Sequence, residues 1–157
     1  MGAIGDLNYV VEMEKIFDSF LVVAGDNLFE YSLQKMVDFF KKKNSSVVAC
    51  VDLKDKERIK NKFGVVKFDK DKKITDFAEK PSEPKTTFVA TACYVFKKED
   101  VALLKPYIKE GNSHENAGDF LKYVAQKSSV NAFVVDGKWF DIGTFEELGR
   151  AREEFNA

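Results

Sequence analysis

The chain is poor in the residues that most often announce a chemistry. Its 157 residues include two cysteines, one histidine, one tryptophan and three prolines. Cys50 and Cys93 each lie in apolar sequence without metal-type spacing, which argues against a zinc cluster and for buried free thiols. His114 stands alone in the polar stretch from Gly111 to Asn116 and reads as a loop histidine. Charge of one sign is also missing. Twenty-five Lys and Arg against 26 Asp and Glu leave a formal net charge of −1, which removes the electrostatic motive for non-specific nucleic-acid binding. No apolar run approaches the roughly 20 residues that span a bilayer. The start, Met1 to Asp6, has neither the basic region nor the apolar stretch of a secretory signal, so no membrane partner and a cytoplasmic location are expected. The P-loop, the serine-hydrolase elbow and the His-Glu-x-x-His metal motif are absent from the sequence.

What is present is a foldable α/β pattern. Fifteen Phe and 45% hydrophobic residues exclude a disordered or linker-like chain. Leu7, Val10, Val11 and Ile16 predict a helix from Asp6 to Phe17. Phe20 to Ala24 is a continuous apolar run, which predicts a strand buried on both faces, ending in Gly25-Asp26-Asn27. Leu33, Met36, Val37 and Phe40 give a helix closed by Lys41 to Lys43, and Ser46 to Val51 gives the next strand. That order reads as a right-handed βαβ unit. Phe63 to Ala78 reads as a hairpin with a charged tip at Asp69 to Lys73. Pro81 and Pro84 break the pattern before a long strand from Phe88 to Phe96. A helix around Val101, Leu104 and Ile108 should be ended or kinked by Pro106. A further helix around Phe120 to Val124, a strand from Val130 to Val135 and the Trp139 to Ile142 segment follow. Thr144 and Glu147 form a capping box for a last helix carrying Phe145, Leu148, Ala151 and Phe155. One α/β domain over residues 1–157 is the expectation.

In open α/β sheets ligands bind beyond the carboxyl ends of strands. Asp26 and Asp141 both occupy such ends, although they are far apart in the chain. Each is read either as a local turn cap or, if the fold brings them together, as a hard oxygen ligand suited to Mg²⁺ and substrate phosphate. Glu79-Lys80-Pro81 is the second candidate. Pro81 biases Lys80 toward an extended backbone, where the ammonium can hold a phosphate while Glu79 accepts hydroxyl hydrogen bonds; the alternative is a solvated charge pair. Gly64 either lets a backbone approach a ligand or marks a bulge. Trp139 reads as a core or lid residue.

Phe20-Leu-Val-Val-Ala-Gly-Asp-Asn27, Phe63-Gly-Val-Val66, Glu79-Lys-Pro81, Thr91-Ala-Cys-Tyr94 and Trp139-Phe-Asp-Ile-Gly-Thr144 occur in this order. In that arrangement the chain resembles the sugar-phosphate nucleotidyltransferases, with glucose-1-phosphate thymidylyltransferase-like members looking most similar. The resemblance implies a three-layer α/β/α, Rossmann-like fold with a mixed sheet. It implies attack of a sugar-1-phosphate on a nucleoside triphosphate, dTTP-like, with release of pyrophosphate. By similarity Asp26 and Asp141 would hold Mg²⁺, Lys80 would meet the sugar phosphate and Glu79 a sugar hydroxyl. Gly64, Thr91 and Ala92 would line the sugar.

Two departures stand out. The family carries Gly where this chain has Ala92, so a methyl group is expected to crowd the sugar there. The family's opening strand, its Gly-x-Gly-Thr-Arg loop and a Pro-Lys element also have no counterpart before Asp6. The chain therefore looks like the C-terminal two-thirds of such an enzyme. It is expected to be weakly active or inactive alone, and to form a homo-oligomer or pair with a complementing N-terminal fragment. The alternative is a non-catalytic sugar-phosphate-binding or assembly module. A receiver domain with Asp26 as acceptor lacks the earlier acidic pair and leaves Glu79-Lys80 unexplained.

Overall fold

Fifteen elements alternate along the computed structural model, which describes residues 2–155. They are α1 (Gly2–Met13), β1 (Phe20–Val23), β2 (Asn27–Phe29), α2 (Leu33–Lys43), β3 (Ser46–Asp52) and α3 (Lys56–Ile59). There follow β4 (Val65–Phe68), β5 (Ile74–Ala78), β6 (Phe88–Phe96), α4 (Lys98–Val101) and α5 (Leu104–Lys109). The chain closes with α6 (Ala117–Lys127), β7 (Val130–Val134), β8 (Trp139–Asp141) and α7 (Phe145–Phe155). Among the described residues no helix is long and apolar enough to cross a membrane.

Period-two patterning builds the layers. On β3, Val48 and Cys50 face one hydrophobic cluster with Tyr94 and Phe96, covered by Ile4, Leu104, Phe120 and Leu121 from the helices. Val47, Ala49 and Val51 face the other with Cys93 and Val95, covered by Met36, Ile59 and Trp139. A strand whose alternate residues are buried on opposite faces needs helices on both sides, so the fold is α/β with a mixed sheet between helical layers. Ser32 caps α2 by accepting from the Lys35 amide, and Asn44 ends it in the left-handed conformation.

The main sheet runs β5-β4-β6-β3-β7, and β1 also pairs with β6. β3 occupies one edge of β6. On the other edge β4 pairs at Val65–Val89 and β1 pairs from Phe20–Phe96 to Val23–Cys93, both antiparallel. The pairing continues inward, with the Ala90 amide donating to Gly64 O at 2.9 Å and the Ala24 amide to Ala92 O at 3.1 Å. The carboxyl end of β1 and the amino end of β4 thus meet head-on over the middle of β6. There β6 bulges. Val48 pairs with Tyr94 but Cys50 with Ala90, and Ala92 adopts φ +52°. A separate two-stranded ribbon joins β2 to β8 with Asn27 opposite Asp141.

Several expectations change. β1 and β3 are parallel, but β6 lies between them, so the βαβ unit skips a strand. β1 is half-open, with Leu21 and Val23 37% and 40% exposed, instead of buried on both faces. α1 begins at Gly2 and ends at Met13, earlier than the periodicity placed it. Pro106 neither ends nor kinks a helix. It is the third residue of α5, where its missing N–H has no intrahelical partner to lose, and the break at Ala102–Leu103 precedes it. Half of the capping box forms, with the Glu147 amide on Thr144 Oγ1 at 3.2 Å, while the Glu147 carboxylate accepts from Arg150 and Phe145 is 94% exposed.

The left-handed backbone at Ala92 carries a Cβ penalty that glycine escapes. Ala92→Gly should stabilise the protein by about 0.5–1 kcal/mol, partly offset by unfolded-state entropy, and raise Tm by roughly 2–4 °C. A lowered melting temperature in a calorimetric scan would contradict this account of the bulge.

Candidate functional site

The head-on junction of β1 and β4 leaves a cavity of about 360 Å³, within the range of small-molecule sites. Asp26, Gly64, Glu79, Lys80, Thr91, Ala92 and Asp141 all line it. Chain direction explains the convergence. Asp26 follows the end of β1, and Gly64 precedes β4. Glu79 follows β5, whose Ala78 is paired with Val65, so it stands on the rung beside Gly64. Thr91 and Ala92 form the bulged floor. A second cleft, of about 750 Å³ between α1 and the α4–α5 segment, is lined by Val11, Phe17 and Leu104 and by none of these residues.

The β2–β8 ribbon brings the two aspartates together. Asp141 is the register partner of Asn27, and the Ile142 amide donates to Asp26 O at 2.8 Å. Asp26 Oδ1 accepts from Asn27 Nδ2 at 2.8 Å, and Asp141 Oδ1 from the Gly143 amide at 3.2 Å. The remaining Oδ2 atoms accept no hydrogen bond among the described residues. The Asp141 carboxyl is pushed up from its ordinary range, first by burial and then by the negative charges of Asp26 and Glu147; the Gly143 amide and Lys80 act the other way. Two hard oxygen donors that repel one another fit Mg²⁺, which takes one or two carboxylates and completes its shell with waters and phosphate oxygens. Among the described residues no group of three or more His, Cys, Asp and Glu forms a ready metal cage.

Glu79 and Lys80 form the opposite wall. The expected extended backbone at Lys80 is not what forms: its φ is +44°. Two backbone hydrogen bonds impose this shape. The Lys80 amide donates to Phe63 O at 3.2 Å, and the Asn61 amide donates to Pro81 O at 3.0 Å. The tight crossing overrides the preference of a residue before proline, at a cost on the order of 1–2 kcal/mol. Lys80 Nζ donates to Asn116 Oδ1 at 3.3 Å. Glu79 is half-buried and its carboxyl is pushed up, chiefly by burial; Lys80 opposes this and Asp119 adds to it.

Gly64 is not a hairpin bulge, since the β4–β5 irregularity lies at Lys67/Phe68. A Cβ there would stand 2.7 Å from Phe77 Cζ and 3.0 Å from Glu79 Oε2. The Thr91 hydroxyl is turned away from any ligand, donating to Ala49 O at 3.2 Å and accepting from Tyr31 OH at 3.0 Å. Only its backbone is free to serve the cavity. The Ala92 methyl lies among the residues packed on the helical face and also lines the cavity. Trp139 is buried, meets Phe63 edge-on at 5.4 Å and donates through Nε1 to Asn27 Oδ1 at 2.6 Å.

Sequence reading missed Asn116 and Gly118, which line the same cavity from the start of α6. Gly118 left one signal, a glycine in the first turn of a helix otherwise rich in good formers. Asn116 left none, because an asparagine before a helix reads as an ordinary cap.

The nucleotidyl transferase family profile matches residues 3–157. The glucose-1-phosphate adenylyltransferase of Clostridioides difficile is 32% identical over 136 residues, covering 82% of this chain and 34% of that protein. The enzyme of the same name from Clostridium novyi is 33% identical over 138 residues, covering 83% of this chain and 35% of that protein. Among solved structures, a putative glucose-1-phosphate thymidylyltransferase from Bacillus anthracis superposes with a TM-score of 0.78 at 25% identity, over 97% of this chain and 60% of that one. A UDP-glucose pyrophosphorylase complexed with UDP-glucose superposes at 0.83 with 20% identity, over 99% of this chain and 62% of that one, and shares the fold. The chain thus spans about a third of the length of these curated relatives. Matched along almost its whole length, it belongs to the nucleotidyl transferase family.

Proposed function

We propose that the chain provides the sugar-phosphate and Mg²⁺ side of a sugar-1-phosphate nucleotidyltransferase centre. The observation that carries this reading is the meeting of Asp26, Asp141, Glu79 and Lys80 around one cavity at the junction of β1 and β4. In the reaction, a phosphate oxygen of the sugar-1-phosphate forms a bond to the α-phosphorus of a nucleoside triphosphate. The bond from that phosphorus to the α,β-bridging oxygen breaks, and its electron pair leaves on pyrophosphate. No proton need be removed, so the protein's work is to position two anions and offset their repulsion. Lys80 would hold the sugar phosphate as a point charge. Glu79 offers its oxygens to a sugar hydroxyl, and the Gly64 backbone and the Thr91–Ala92 floor shape the space for the ring. Asp26 and Asp141 would hold Mg²⁺, which supplies charge neutralisation at the phosphates.

The nucleotide-binding part is proposed to come from a second segment or copy. The outer edge of β1 pairs with no strand among the described residues, and Leu21, Val23, Met13 and Phe17 expose apolar surface beside it. Size-exclusion chromatography is expected to show a species larger than the 17.8 kDa monomer. A stable monomer at dilution would remove this part of the reading. The chain alone should release little pyrophosphate from glucose 1-phosphate and dTTP. Adding an N-terminal family segment should restore release, whereas continued inactivity would favour the binding-module alternative.

Binding tests the site directly. Calorimetry with α-D-glucose 1-phosphate should give measurable affinity, and Lys80→Ala should weaken it roughly 10- to 100-fold through one lost charge-assisted hydrogen bond. Asp26→Asn and Asp141→Asn should abolish any Mg²⁺ dependence. Wild-type affinity in Lys80→Ala would refute the phosphate role.

Glu79 also makes a pH prediction. Its folded pKa is raised because burial disfavours the charge, so the carboxylate destabilises the unliganded fold. That cost is absent below the ordinary carboxyl pKa of about 4.3 and fully present above the raised folded value. Glu79→Gln should therefore raise Tm at pH 7–8 and make little difference near pH 4. Equal shifts at both pH values would contradict the burial argument.

A further inference from the structure

The first turn of α6 touches both members of the Glu79–Lys80 pair, and neither contact serves the helix itself. Asn116 is the N-cap, with extended backbone at φ −115° and ψ 133°, yet its side chain makes no cap hydrogen bond. An asparagine in that place ordinarily accepts from a first-turn amide and contributes about 1 kcal/mol. Here Oδ1 accepts from Lys80 Nζ at 3.3 Å, and Nδ2 donates to Asp119 Oδ2 at 3.4 Å. The helix forgoes its cap, and the ammonium gains a fixed acceptor.

Two residues on, Gly118 is buried. A Cβ on it would overlap Glu79 Oε2 and lie 2.9 Å from Phe77 Cζ. From the other side a Cβ on Gly64 would stand 3.0 Å from the same carboxylate oxygen. The Glu79 carboxylate therefore occupies a slot between two glycines. It takes no hydrogen bond from a protein donor among the described residues, so its direction is set by shape. Its full acceptor capacity stays available for a ligand's hydroxyl groups.

We infer that Asn116 and Gly118 are positioning residues that set how this cavity distinguishes a phosphorylated sugar from bare phosphate. The inference rests on the sugar-phosphate reading above. Asn116 holds Lys80 for the phosphate, which both ligands share. Gly118 admits Glu79 to the place where only a sugar presents hydroxyls.

The test is calorimetric titration of the full chain with α-D-glucose 1-phosphate and, separately, inorganic phosphate. Gly118→Ala should lose roughly tenfold in affinity for the sugar phosphate, about one hydrogen bond's worth, and keep its affinity for phosphate. Adding Glu79→Asp, one methylene shorter, should recover much of the loss, which a general folding defect would not allow. Asn116→Ala should weaken both ligands by a similar factor, roughly three- to tenfold. Thermal melts identify any variant that fails to fold, and the Asn116 variant adds no bulk. Unchanged sugar-phosphate affinity in Gly118→Ala, or unchanged affinity for both ligands in Asn116→Ala, overturns the inference. A wild-type chain that binds neither ligand overturns the sugar-phosphate reading instead. Positioning is then decided by a carbon-13 titration of the Glu79 carboxyl, which faces Lys80, Asp119 and Tyr94. The carboxyl should titrate above the ordinary range in wild type and return toward it in Gly118→Ala, whereas identical curves would overturn the positioning claim.

Discussion

Two strands sharing one edge of β6 determine most of what this molecule can do. β1 and β4 run in the same direction along that edge and stop short of each other, one at its carboxyl end and the other at its amino end. A continuous strand there would have filled the ladder and left no cavity. Because the ladder is interrupted, the residues just beyond each strand turn out of the sheet together: Asp26 on one side, Gly64 on the other, with Glu79 beside it through the β4–β5 hairpin. The bulge in β6 supplies the floor, and the β2–β8 ribbon returns Asp141 to the same place.

The electrostatics of the cavity oppose folding more than they help it. Asp141 and Glu79 are each disfavoured as anions, first by burial and then by acidic neighbours. Lys80 faces both, yet it is exposed, so its attraction is screened. Left-handed backbone at Lys80 and Ala92 adds to the local cost. Such costs persist where the surrounding structure is strong enough to impose them. Here the packed layers on both sides of β3 and β6 provide that, with Val47, Val48, Ala49 and Cys50 all fully buried.

Much of this was legible in the sequence. Strand ends followed by Gly-Asp or Asp-Ile-Gly punctuate the chain, so Asp26 and Asp141 could be placed at strand termini from local pattern alone. The Glu79-Lys80-Pro81 turn was visible through its proline. Strand order was not, because nothing local to Phe20–Ala24 or Ser46–Val51 says that residues 88–96 will insert between them. The conformation of Lys80 is hidden from local sequence because two hydrogen bonds to residues 61 and 63 outweigh the influence of Pro81. Gly118 escaped notice for the same kind of reason. Its lack of a side chain matters only against Glu79, 39 positions earlier, and pairings of that range leave no periodic trace.

The bulge in β6 preserves the layering of the core. Between its pairings with β3 the strand holds two surplus residues, and an even surplus preserves the parity of the pleat. Ala90 and Tyr94 remain on one side, and Val89 and Cys93 on the other. The strand therefore keeps delivering Tyr94 and Phe96 to the aromatic layer and Cys93 and Val95 to the opposite one, although its ladder with β3 is interrupted.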